Sequence, residues 1–108
     1  MNSLNFFKEH VREETENSKE YAKMALELKH SNPHISRVLM EMSEQELKNA
    51  EKLQVLMSEY NAEASKRPNT QYTPSDYDGV YTDAIKDYTQ NANEIKAMRD
   101  IYRKESRY

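Results

Sequence analysis

Across the first 67 residues only one place breaks a helix. Asn32-Pro33 holds the sole proline before Pro68, and the only glycine among the 108 residues is Gly79. Between these points the chain is filled with Ala, Glu, Lys, Leu, Met and Gln, residues that lose little on entering a helix. Asn suits the position just before a helix and Pro the first position within it. The pattern predicts a helix over about 3–31, capped by Ser3 and ending near His30, then a tight turn and a second helix over 33–64 running back antiparallel. Ser65 to Asp76 carries two prolines and small polar residues and reads as a linker. A third helix is expected over about 77–105. The chain is thus expected to be one all-α domain, a long helical hairpin with a third helix.

Apolar residues recur three and four apart, the mark of one helical face. The stripes are Leu4, Phe7, Val11, Tyr21, Ala25, Leu28; then Ile35, Leu39, Met42, Leu53, Leu56, Tyr60; then Tyr81, Ala84, Tyr88, Ile95, Met98, Tyr102. Leu, Ile, Val and Phe total only 17 of 108 residues, so the chain's own core is thin. A domain this small has a narrow stability margin, and the expectation is that it borrows surface from a homodimer or higher oligomer.

Several function classes drop out. Val38-Leu39-Met40 and Val55-Leu56-Met57 are among the longest apolar runs, too short to cross a bilayer. No basic segment followed by an apolar one opens the chain, so a cytoplasmic site, or one inside a larger intracellular assembly, is expected. With no cysteine there is no disulfide framework or thiol nucleophile, and a net charge of −3 argues against a nucleic-acid binder. Asp76-Tyr77-Asp78-Gly79 does not continue into a calcium loop, because Pro74 and Ile85 would fall where carboxylates are needed. The bases of the last 13 residues suit a helix C-terminus. The tyrosines of the third helix suit either a subunit interface or the chain's own core.

Each stripe is interrupted by polar residues: Glu14 and Ser18 in the first helix, Glu46 and Asn49 in the second, Asn91 in the third. In an antiparallel hairpin, Glu14, Glu46 and Asn49 lie at one level, roughly 21–27 Å from the turn at about 1.5 Å per residue. A shielded carboxylate is costly unless it is paired, protonated or bound to a cation. Oxygen ligands at one level suit iron, manganese or calcium. The other account is a polar layer that fixes register through hydrogen bonds.

Over residues 7–58 the chain resembles the ferritin-like superfamily, close to its rubrerythrin branch. Glu14, six intervening residues and Tyr21 match that family's first helix. Glu46-Leu47-Lys48-Asn49-Ala50-Glu51 matches its Glu-x-x-His-Ala-Glu, with Asn49 where the family has His. The resemblance implies a half-bundle completed by oligomerisation, with Glu14, Glu46 and Asn49 as metal ligands, Tyr21 beside them and His10 one turn away as a substitute ligand. It implies iron or manganese as the ion, and at most a weak ferroxidase-like activity. The leading expectation is a rubrerythrin-like protein whose carboxylate site is degenerate. The alternative is a non-catalytic helical assembly protein, a component of a larger particle.

Overall fold

The computed structural model describes residues 3–64 and 74–105, and all of its regular structure there is helical: α1 (Ser3–Leu28), α2 (Pro33–Ala64) and α3 (Pro74–Glu105). The expected turn is in place. The Asn32 amide bonds the Leu28 carbonyl at 2.8 Å, ending α1 three residues earlier than anticipated. The Asn32 carbonyl accepts from Ser36 at 3.0 Å, and its side-chain oxygen faces the Ile35 amide at 3.4 Å. Pro33, which has no N–H to leave unsatisfied, opens α2. For the same reason α3 starts at Pro74, so the last three residues of the expected linker are helical, while 65–73 lie outside the described residues. No helix among the described residues is long and apolar enough to cross a membrane.

The hairpin seam follows spacings of three and four, with one interval of seven on each helix. On α1 the buried residues are Leu4, Val11, Thr15, Ser18, Ala22 and Ala25, followed by Lys29 just past its end; on α2 they are Ser36, Met40, Ser43, Leu47, Ala50 and Met57. This corrects the stripe read from sequence on α2. Ile35, Met42 and Leu56 are exposed, and Leu39, Leu53 and Tyr60 only half-buried. The seam turns inward because small residues let the two backbones approach, and serine hydroxyls then reach across. Ser18 Oγ donates to the Ser43 carbonyl and Ser43 Oγ to the Ser18 carbonyl, both at 2.7 Å. Ser36 Oγ donates likewise to the Ala25 carbonyl. Each carbonyl has a second lone pair free for this after serving its own helix. In both pairs the facing residue numbers total 61, so one register runs the length of the hairpin.

The third helix packs chiefly on α1 and runs parallel to it. Lys8 faces Asp83, Lys19 pairs with Glu94, and Lys29 Nζ donates to the Tyr102 carbonyl at 2.8 Å. Lys19 thus looks to α3. Against α2, Leu47 packs with Ala92 and Ile95, and Arg103 lies 3.4 Å from Glu44. Tyr88 and Tyr102 pack inside the chain, against the Leu47 and Ala22 clusters respectively. The result is an up-down-up rod with extents of 59 × 19 × 15 Å.

The serine pair makes this seam testable. Ser43→Ala removes one cross-helix bond and should lower stability by about 1 kcal/mol. Ser43→Leu must push the helices apart and should cost about 1–3 kcal/mol. Urea unfolding followed by circular dichroism reads both, as a shift in midpoint at constant slope.

Candidate functional site

Beside the seam, on each helix, runs a second row with a seven-residue repeat. On α1 it is Phe7, Glu14, Tyr21 and Leu28; on α2 it is Leu39, Glu46, Leu53 and Tyr60, all half-buried. The Phe7 and Tyr60 rings meet with centroids 5.8 Å apart, so the two rows border the same side of the hairpin. The opposite border holds Lys19, Glu44 and Glu51, which face α3. The Phe7–Tyr60 side is therefore left open. Further out on it stand Met24, Ile35, Met42 and Leu56, each between 40% and 48% exposed. Most of the chain's large apolar side chains from the first two helices border or line this open face.

The expected site residues fall in the middle of this face. With facing numbers totalling 61, Glu46 lies opposite residue 15 and Asn49 opposite residue 12, so the predicted common level with Glu14 follows from the register. Asn17 belongs with them and was missed by the sequence reading. Its signal was available: Glu14-Thr15-Glu16-Asn17 and Glu46-Leu47-Lys48-Asn49 repeat Glu-x-x-Asn 32 residues apart. The four residues span about 7.5 Å along the rod. Asn91 does not join them. It lies in the cleft between α1 and α3, where its amide donates to the Asp87 carbonyl at 3.0 Å.

The donor set is oxygen only. Glu14 Oε2 is shielded from solvent and has no hydrogen-bond partner. Asn49 Oδ1 already accepts from Gln45 Nε2 at 3.1 Å. His10 lies 3.8 Å from Glu13 with its ring against Phe6, and His34 faces Arg37 at 3.2 Å. Tyr21 is half-buried on the Glu14 row. Among the described residues no three His, Asp or Glu side chains gather as a metal-holding group. Helical Cα–Cβ bonds tilt toward their own N-terminus, so those of Glu14 and Glu46 tilt in opposite directions along the rod.

On the α3 side the electrostatics are those of structural contacts. Burial, and then the 2.9 Å hydrogen bond it donates to Glu51, hold the Tyr88 phenol proton well above its usual range. The Lys19 ammonium, by hydrogen bond and by charge, pulls the Glu94 carboxyl below its ordinary value. No protein family, curated protein or solved structure matched the chain.

Both shifts predict a pH response. A raised phenol pKa means the folded state holds the proton more tightly, so the Tyr88 contribution is complete below the ordinary value of 10.0 and is lost as pH climbs beyond it. Tyr88→Phe should flatten the alkaline limb of stability against pH. The Glu94 contribution is present above the ordinary value of 4.5 and is lost as acid protonates it, and Lys19→Ala should flatten that limb. Urea midpoints measured across pH check both.

Proposed function

We propose that this chain is a non-catalytic assembly module, a ferritin-like half-bundle that is completed by oligomerisation. One observation carries the reading: the seam is built of small residues where Ser18, Ala22 and Ala25 meet Ser36 and Ser43, while Met24, Ile35, Met42 and Leu56 stand exposed on the face of the hairpin that α3 leaves open. A monomer gains little by arranging itself so. A subunit gains an interface, and the Glu-x-x-Asn pairs at its middle fix the register, since a slip would bury a carboxylate against leucine or methionine.

A second reading is favoured by the shielded, unpartnered Glu14 Oε2. In it, Glu14 and Glu46 hold a hard cation, iron or manganese, with Tyr21 alongside. The bound ion would supply any oxidising chemistry. The residues of this chain would only hold it, because Asn49 brings an amide already engaged by Gln45 in place of imidazole.

Metal analysis of protein purified without chelator separates the two. The assembly reading expects no ion in stoichiometric amount. It also expects Glu14→Gln to raise stability by about 1 kcal/mol, because an unpaired shielded carboxylate is removed. Iron or manganese near one ion per chain, lost in Glu46→Ala, would overturn it in favour of the cation site.

A further inference from the structure

The cleft between α1 and α3 is bracketed by two ion pairs. Lys8–Asp83, at 4.0 Å, and Lys19–Glu94 each join residues 75 apart in the chain. Arg12 and Asp87 are also 75 apart, so the same register sets them at one level between those pairs. Both line the cleft, and both are exposed. Yet this middle pair does not close: among the described residues Arg12 and Asp87 form no ion pair with each other. Asn91, one turn beyond Asp87, spends its amide on the Asp87 carbonyl at 3.0 Å and keeps its side-chain oxygen for another donor. The floor between these rims is apolar, with Val11 and Ala84 buried in it. Thr15 donates its hydroxyl to the Val11 carbonyl and Tyr88 donates its own to Glu51, so neither offers a proton to the cleft. The α1 wall is thus cationic, the α3 wall carries oxygen acceptors, and the floor is greasy.

From the unclosed pair and its setting we infer that the cleft binds a small zwitterion, a free α-amino acid the size of glycine or alanine. The ligand carboxylate pairs with Arg12, with Lys8 one turn away. Its ammonium is held by Asp87 and the Asn91 side-chain oxygen, and its carbon atoms lie over Val11 and Ala84. A simple anion would be repelled by Asp87 and a simple cation by Arg12. Only a ligand with both charges satisfies both walls. Its size is bounded as well. The cleft measures about 220 Å³ with its open mouth included, below the roughly 300 Å³ at which drug-sized pockets begin. Contacts to exposed charges are individually weak, so the affinity falls in the millimolar range. Bound there, the ligand closes the pair that the helices leave open and ties α3 to α1. The site lies on the α3 side of the hairpin and does not depend on what the open face does.

Titration of the full, nitrogen-15-labelled chain with glycine, followed by amide NMR shifts, tests this. Saturating shifts are expected at Arg12, Asp87 and Asn91, with a millimolar midpoint, and alanine should give the same. Acetate and methylammonium each carry one of the two charges, and leucine has a side chain too large for the closed floor. All three should bind at least about tenfold more weakly. Arg12→Gln and Asp87→Asn change exposed side chains, so helicity by circular dichroism should stay as it is. Each should weaken glycine by about tenfold or more. The absence of any saturating shift with glycine would overturn the site. Acetate binding as tightly as glycine would reduce it to a patch for anions and overturn the zwitterion. Undiminished glycine binding in either variant would show that the pair astride the cleft is not what holds it.

Discussion

The reciprocal hydroxyl-to-carbonyl contact between Ser18 and Ser43 fixes more of this molecule than any other. Two bonds of this kind require helix backbones close enough for a serine to span them. That closeness admits only Ala, Ser and Thr at the neighbouring seam positions of α1. It also sets the register, which the Ser36–Ala25 contact repeats seven residues further along each helix. From the register follow the levels of the remaining side chains, including the four that form the central polar layer.

Close packing at the seam has a cost that shows on the outside. Small residues bury little apolar area, so each position contributes less than the 1.5–3 kcal/mol of a fully buried leucine or methionine. Leu39, Leu53 and Tyr60 are left half-covered, and Met24, Ile35, Met42 and Leu56 stand in solvent. The third helix relieves one border of the hairpin and not the other. It adds Ala92, Ile95 and Tyr88 against Leu47 and draws Glu44 and Glu51 to its own arginine and tyrosine side chains. The polar layer on the opposite border is thereby left at the centre of an apolar surface.

Much of this was legible beforehand, element by element. Asn32-Pro33 located the turn because a cap followed by a ring-locked φ has few other uses. Glu14, Glu46 and Asn49 were placed at one level because helical rise is fixed. Asn17 was passed over because single polar residues on charged helices attract no notice until a second Glu-x-x-Asn appears in phase. The row of Ile35, Leu39 and Met42 was taken for the inner seam because its residues are the largest. Yet the row of Ser36, Met40 and Ser43 lies one residue on from each of these, roughly 100° around the helix.

The sequence by itself determined three helices, their turn and the common level of Glu14, Glu46 and Asn49, since propensity, capping and rise per residue act within a few neighbours. Only the tertiary structure decided which of two adjacent stripes faces inward. Periodicity states which residues share a side, whereas the choice between sides depends on how near two backbones approach, and that distance is a property of the pair. With the small-residue stripe turned in, the acids of Glu14 and Glu46 came to lie on the uncovered side of the hairpin.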